Sequence, residues 1–528
     1  MSLSPARKLD LASMVVWAVT LLAGLLTFRD YGIAWDEQGE RVYGELLIKL
    51  YASGFRDHSA FEFVNFRYYG GGFELPAALL ARALPFSPYA TRHLLSLLVG
   101  TAALLATTRV TRKLAGERAA LLATLLLCLN PCWYGLTLID ARDVPLAAGI
   151  MICLLLTLHM IEQWPRVRWQ TSVAFGCVLG WTMSVRVGAV LALVFLAVPI
   201  ALSLVQKARS GVQLRGLAGD GARFALSFAP ALPAAYAMIA VFWPWAVQAP
   251  FNPIEALLMF SRFPFEGTVL FQGAVIPATT LPAAYLPVYL GVTQPESLLI
   301  GVAIAVLLAF VALVRRRAAF DSRAIGIAAV AFSAAFPIVY FMLVRPVAYN
   351  SMRHFLFVVP PLTILAALAF DRVLKGFPVA MGASLALLLA MQASTVVALH
   401  PNQYVHFNRL VGGPSGAQGR YELDYWGTSL AEATQRLVAE LERTHDRPKP
   451  GETFKVHVCA NVWSAATYFP KWLTPVESPQ DADFYIAIAT YYCQHPRGSR
   501  PMLEVKRAGA VLSYADDLRK HEAHVQAP

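Results

Sequence analysis

Long apolar runs dominate this chain. They recur near residues 11–28, 88–108, 118–138, 144–162, 169–185, 187–206, 222–243, 296–314, 324–344, 352–370 and 377–397. Each approaches the roughly 20 residues that a helix needs to cross the hydrocarbon core of a bilayer. In lipid every backbone amide must find its partner inside the chain, so such a run folds as an α-helix. The sequence therefore predicts an α-helical polytopic membrane protein of about eleven spans. The 528 residues are 57% hydrophobic, with a mean hydropathy of +0.52, which excludes a soluble enzyme of this size.

The net charge of +11 would suit a nucleic-acid partner, but its distribution does not. Basic residues gather in short stretches between the apolar runs: Arg109 to Arg118, Arg166 with Arg168, Lys207 to Arg223, Arg315 with Arg316 and Arg317, and Arg372 with Lys375. Loops rich in Lys and Arg stay in the cytoplasm. These loops alternate along the chain, so all fall on one side if the N-terminus is cytoplasmic. An odd number of spans then puts the C-terminus outside. No surface of interleaved aromatic and basic residues is present, so nucleic acid is excluded as a partner. Arg7 and Lys8 precede the first run, as in a signal peptide. The residues after it, Arg29-Asp30-Tyr31, are not a small-residue cleavage site, so the run reads as an uncleaved first helix.

On this topology the segment 29–87 is a long outer loop. Its helix-like stretches, Glu37 to Tyr51 and Phe73 to Leu84, are too short to cross and are expected to lie along the interface. A second long outer loop, 243–296, is rich in proline and aromatic residues, beginning with Trp243-Pro244-Trp245, which suits an interfacial belt. The spanning domain is 1–397. Beyond it the composition turns polar, and 398–528 reads as a small extracytoplasmic α/β domain. Its helix is expected at Leu430 to Arg443, its strands at Phe454 to Val458 and Phe484 to Ile488, and a hairpin at Leu503 to Val505 with Val511 to Tyr514. If that domain is exported, Cys459 and Cys493 can form a disulfide. Cys128, Cys132, Cys153 and Cys177 sit in or beside apolar runs as small packing residues.

Two acidic loops then share the outer face. Trp35-Asp36-Glu37 directly follows the first span, and Asp140-Ala141-Arg142-Asp143-Val144-Pro145 joins two spans. Asp36 can serve as a general base or cap the helix that starts near Glu37. Asp143, with Pro145 two residues on, can likewise cap the following span. Yet charges held at membrane depth tend to be functional. Arg186, and Arg353 with His354, lie on the same face, and guanidinium groups suit phosphate by charge and fork geometry. Snorkelling to lipid headgroups is the plainer account of such residues, and for Arg345 it weighs equally.

These features together resemble the GT-C glycosyltransferases, in particular the protein O-mannosyltransferase and lipid A aminoarabinose transferase group (glycosyltransferase family 39). The resemblance rests on the acidic pair Asp36-Glu37, on Arg142-Asp143-Val144-Pro145 and on Arg353-His354 opening a late span, and it covers about the first 370 residues. His400 to Tyr404 and Asp424-Tyr425-Trp426-Gly427 also look like a segment that follows the last span in bacterial members. The chain departs from the family where a His-Pro-Pro-like motif is usual and Tyr69-Gly70-Gly71-Gly72-Phe73 stands instead. The resemblance implies sugar transfer at the outer face of the cytoplasmic membrane from a polyprenyl-phosphate-linked donor to an acceptor hydroxyl or phosphate on a lipid, glycan or protein. It implies Asp36 as the base with Glu37 beside it, Asp143 as the second acid, and Arg186 and Arg353, with His354, at the donor phosphate. Asp140, Arg142 and Arg345 are supporting candidates.

No His/Cys cluster marks a zinc site and no Walker-type loop marks a nucleotide. The paired acids leave a divalent cation open as a cofactor, although members resembling the mannosyltransferases are expected to work without one. The rival is a transporter or flippase of a lipid-linked saccharide. Such a protein would carry charges near mid-membrane and, often, repeated halves; here the acids gather at one face.

Overall fold

A computed structural model describes residues 4–261, 263, 265–315 and 321–519. Arg316 and Arg317 of the predicted basic loops lie outside the described residues. Among these residues, nine helices are long and apolar enough to cross a membrane, or ten if one bent pair counts as a span. Two of the eleven expected runs fall outside that test as single helices. The run near 118–138 breaks into helices Glu117–Cys128 and Pro131–Ile139, bent by 66°. The run near 169–185 forms a helix of only 15 residues, Trp169–Met183. At 1.5 Å per residue it extends about 22 Å, short of the roughly 30 Å hydrocarbon core. It packs against Ala231–Phe242 at close range: a Cβ on Gly180 would stand 2.3 Å from the Ala235 carbonyl oxygen.

The basic loops 109–118 and 372–375 share one end of the bundle with the end of the run 144–162. Arg112 pairs with Asp10, Lys113 Nζ lies 2.5 Å from Glu162, and Asp371 accepts from Arg118 at 2.6 Å and from Lys375 at 2.9 Å. Asp143 opens the 21-residue helix Asp143–Gln163, so it sits about 30 Å along the axis from that end. The acidic loops therefore occupy the opposite end, as the loop pattern predicts. The first outer loop does not simply lie along an interface. Helix Glu37–Ala52 buries Tyr43, Leu47 and Leu50 against helix Glu74–Ala83 and its surroundings.

In the segment 243–296, β1 (Thr268–Phe271) and β2 (Ala274–Pro277) pair antiparallel across Gln272-Gly273. Both turn residues have positive φ, 54° and 85°, as a two-residue hairpin turn twisted to match its strands requires. The C-terminal domain is a five-stranded sheet. Its strands are β3 (Phe454–Cys459), β4 (Leu473–Val476), β5 (Phe484–Ile488), β6 (Arg500–Arg507) and β7 (Ala510–Asp517), in the order β4-β3-β5-β7-β6. β3 runs parallel to β4 and β5, and β7 antiparallel to β5 and β6. The amphipathic helix Leu430–Arg443 lays Leu430, Ala433, Leu437 and Leu441 on the sheet, at helical spacing. Cys459 and Cys493 form a disulfide, with Cα atoms 5.8 Å apart.

The domain is docked on the site. Trp35 donates its backbone N–H to the Trp426 carbonyl at 2.9 Å, and Asn461 Nδ2 donates to the Trp35 carbonyl at 2.5 Å. Tyr421 bridges to Phe271 of β1, and the Gly273 N–H reaches the Arg420 carbonyl at 2.9 Å.

Candidate active site

Asp36 and Glu37 have different surroundings, as adjacent side chains on one turn must. Asp36 occupies the N-cap position of helix Glu37–Ala52, but its carboxylate makes no capping bond. Glu37 turns back instead, accepting the Ala34 N–H at 2.8 Å and lying 3.1 Å from His93 Nε2. Glu37 is fully enclosed, whereas the Asp36 side chain is 38% exposed and lies 3.6 Å from an Arg353 guanidinium nitrogen. Of the pair, Asp36 lines the large cavity and Glu37 does not.

The second acidic loop also divides its labour. Asp140 Oδ1 accepts the N–H groups of Arg142 at 3.0 Å and Asp143 at 2.7 Å, so Asp140 rather than Asp143 serves the helix start. That corrects the expectation of Asp143 as a cap. Freed from capping, Asp143 sets Oδ1 at 3.0 Å from Arg186, an ion-pair distance, while neither carboxylate oxygen meets hydrogen-bond geometry with any described residue. Burial and the neighbouring Asp143 charge raise the Asp140 pKa, against a smaller opposing pull from Arg353.

Arg142 lies 3.8 Å above the Tyr69 ring and 2.7 Å from Glu40. The Tyr69-Gly70-Gly71-Gly72 turn thus supplies the platform for this arginine. Gly70, at φ 87°, fits against the Ser184 carbonyl, which a Cβ would meet at 2.5 Å. Behind it lies a buried charge cluster. Arg92 pairs with both Glu40 and Glu74 and lies 3.6 Å from Glu37. Burial and Glu74 push the Glu40 pKa up, against Arg142 and Arg92.

Arg353 is 4% exposed and held between two aromatic faces, Trp426 at 4.3 Å and Tyr349 at 5.0 Å. The His354 ring stands edge-on to Tyr349 at 4.7 Å, so it braces Tyr349. Phe265 stacks on the same ring at 4.0 Å. Between Tyr349 and Arg353 the chain makes a tight turn, with Asn350 at φ 57° and Ser351 at φ 64°. Two successive non-glycine residues in the left-handed region cost on the order of 1–3 kcal/mol each, and such strain concentrates at functional sites. Tyr285 secures the turn by donating its hydroxyl to the Ser351 carbonyl at 3.2 Å. Asp36, Asp143, Asp140 and Glu422 are carboxylates in electrostatic reach of Arg353.

Asp36 and Arg353 open onto a cavity of about 1030 Å³ between the spanning domain and the C-terminal domain. Trp35, Tyr349, Glu422 and Trp426 also line it. Arg345 stands apart: it ends helix Ser322–Val344 in the left-handed conformation, exposed. Among the described residues no three His, Cys, Asp or Glu side chains converge as a metal site.

Solved structures similar to the chain share its fold at low identity. The chain is similar to ArnT from Cupriavidus metallidurans bound to undecaprenyl phosphate, and to the apo state of that protein, each at 15% identity with a TM-score of 0.49. The likeness covers 96% of this chain and 97% of that one. It is also similar to the archaeal oligosaccharyltransferase AglB from Archaeoglobus fulgidus in complex with an inhibitory peptide and a dolichol-phosphate. There the identity is 12% and the TM-score 0.44, over 90% of this chain and 69% of that one. No family model matches the chain, and no curated protein does.

The structure thus brings Asp36, Asp140, Asp143, Arg142, Arg186 and Arg353 to one end of the bundle. Sequence reasoning missed Glu40, Glu74 and Arg92. Their signal was present: acids three apart on one helix face at Glu37 and Glu40, and a lone arginine five residues past the Ser87 cap of an apolar span. It also missed Tyr349 and Glu422, which only the three-dimensional return of distant segments reveals.

Proposed function

We propose that this protein transfers a sugar from a polyprenyl-phosphate-linked donor to an acceptor hydroxyl at the outer face of the cytoplasmic membrane. One observation carries the reading: a carboxylate free of capping, Asp36, lies 3.6 Å from the enclosed guanidinium of Arg353 on the wall of a large cavity. A base beside a fixed cation is what a displacement at an anomeric carbon needs. Asp36 takes the proton of the acceptor hydroxyl, and the oxygen attacks the anomeric carbon. The bond from that carbon to the phosphate oxygen breaks, its electron pair leaves with the polyprenyl phosphate, and Arg353 opposes the charge that develops. Asp143 holds Arg186 nearby as a second cation for the phosphate. Glu37 supports the loop and takes no part in proton transfer. Sandwiching between Trp426 and Tyr349 fixes Arg353 before substrate arrives, so no reorganisation is needed at the moment of reaction.

The test is mass spectrometry of lipid-linked sugars and surface glycans from cells lacking this protein. A lipid-linked donor is expected to accumulate, and one glycan, lipid or protein to lose a sugar. Wild-type protein restores the product. Asp36→Asn does not, although it reaches the membrane in equal amount. Unchanged glycans and donor levels in the deficient cells would overturn the proposal.

A further inference from the structure

We propose that Glu422 is a substrate-contacting residue that binds a hydroxyl group of a neutral saccharide acceptor, in the cavity shared by the two domains. The inference rests on the transferase reading above and names the acceptor class.

Glu422 lies on the strand-like return from the last span. Its neighbours Tyr421 and Leu423 are buried, and all three residues line the cavity, Glu422 being the less enclosed of them. There its carboxyl faces the backbone amides of Asn350, Ser351 and Leu270, which places it against the strained turn that carries Arg353. One carboxyl oxygen, Oε2, has no hydrogen-bond partner among the described residues. The same holds for Trp426 Nε1 and Arg353 Nε, both on residues more than nine-tenths buried and both lining the same cavity. More than nine in ten buried polar groups in folded proteins are paired, so three orphans around one cavity mark a place for a polar ligand. Asp424, two residues on, shows the contrast. Its oxygens accept from the Thr428 and Ser429 amides at 3.1 Å and from the Ser429 hydroxyl at 2.5 Å, which leaves it a structural role.

The lining identifies the ligand class. With Asp36 and Glu504 set against Arg353 and Glu422 itself mostly protonated, the lining has no surplus of positive charge, so a neutral ligand suits it. The aromatic rings of Trp35, Trp426, Tyr491 and Tyr492 offer flat apolar faces among the polar groups. A sugar ring meets both demands, with C–H faces for the rings and hydroxyls that both donate and accept. An acyl chain would leave the polar atoms unpaired.

Protonation supports the same role. Burial pushes the Glu422 pKa up to about 8, against the pull of the facing amides and Arg353. At neutral pH the group is mostly a carboxylic acid and donates its O–H to a sugar oxygen. The other titratable groups facing it are Tyr285, Tyr289, Tyr491 and Tyr492, all raised from the ordinary tyrosine value by burial and so uncharged in this range. His495 also lines the cavity.

The experiment uses the full-length protein in nanodiscs. Saturation-transfer NMR reads the binding of methyl α-D-mannopyranoside, methyl β-D-galactopyranoside and N-acetylglucosamine, and native mass spectrometry reads undecaprenyl phosphate. At least one glycoside is expected to bind, with a Kd at least tenfold higher in Glu422→Ala. Glu422→Gln keeps a neutral donor and should stay within threefold at pH 7. Wild-type affinity should fall as pH rises through 8, while Glu422→Gln stays flat, which separates Glu422 from His495. Glycoside binding that is absent, or unchanged in Glu422→Ala, while undecaprenyl phosphate still binds, overturns the saccharide site and leaves the transferase reading standing. Undecaprenyl phosphate that fails to bind while glycoside binding still depends on Glu422 overturns the transferase reading and supports the saccharide site.

Discussion

Replacing Asp36 by Asn should separate chemistry from binding in one variant. The amide keeps the shape of the side chain and loses the proton acceptor. General base catalysis contributes roughly 10²- to 10⁴-fold, so kcat should fall by that factor, about 3–5 kcal/mol. The substitution also removes a negative charge 3.6 Å from Arg353. Two unit charges at that distance interact by about 1 kcal/mol in water and about 5 kcal/mol at an effective dielectric of 20. The Asp36 side chain is 38% exposed, and screening favours the lower figure. A less neutralised Arg353 should then hold an anionic donor about fivefold more tightly, from about 1 kcal/mol. The donor KM is therefore expected to fall while kcat collapses. Stability should fall by no more than about 1 kcal/mol, since Asp36 makes no capping bond and its half-exposed ion pair with Arg353 is screened. The assay is release of polyprenyl phosphate from a labelled polyprenyl-phosphate sugar by purified protein in nanodiscs, with thermal unfolding as the control. A kcat within threefold of wild type would refute the base assignment. A tenfold rise in donor KM at unchanged kcat would show that Asp36 binds donor and does not accept the proton.

Other perturbations reach the rest of the site. Arg353→Lys keeps the charge but loses the planar group between Trp426 and Tyr349, so donor KM should rise about tenfold; an unchanged KM counts against the phosphate role. Arg92→Met leaves Glu37, Glu40 and Glu74 with Arg142 alone among the arginines, and breaking a buried ion pair costs about 3–5 kcal/mol, read as a lower unfolding temperature in detergent. Adding Glu40→Gln should recover part of that loss, and full stability of Arg92→Met alone would refute the coupling. Replacing Cys459 and Cys493 by Ser opens a loop of 34 residues, which should destabilise the C-terminal domain by about 3–4 kcal/mol and expose it to protease. Equal protease resistance with and without the disulfide would contradict this.

The sequence was most readable where lipid dictates the answer. Apolar runs of spanning length became helices because nothing else satisfies their amides. The broken span near 118–138 carried its own sign, since Asn130-Pro131 is a helix-start pair and Asn130 Oδ1 accepts the Trp133 N–H at 3.1 Å. Hydropathy averaged over a window hides such a break. The hairpin of β1 and β2 was equally hidden, because Gln272 at φ 54° is not a residue that announces a left-handed turn. At the site, the roles of Asp36 and Glu37 could be separated in kind but not in detail. Which acid turns inward depends on His93 and the Ala34 amide, and neither contact is encoded by spacing. Glu422 illustrates the limit. Its environment is made by a turn 70 residues away and by β1 of the second outer loop, and composition gives no hint of either.

The bond between Trp35 and Trp426 has a consequence for the order of events at synthesis. The two residues are 391 positions apart (426 − 35), and translation runs at about 5–20 residues per second. Asp36 therefore waits on the order of 20–80 s for the segment that closes its cavity. Arg353, made 73 residues (426 − 353) before Trp426, lacks one of the two rings that hold it until that residue arrives. A chain truncated before Trp426 would carry every acid and arginine of the site and still have no enclosed place for a substrate.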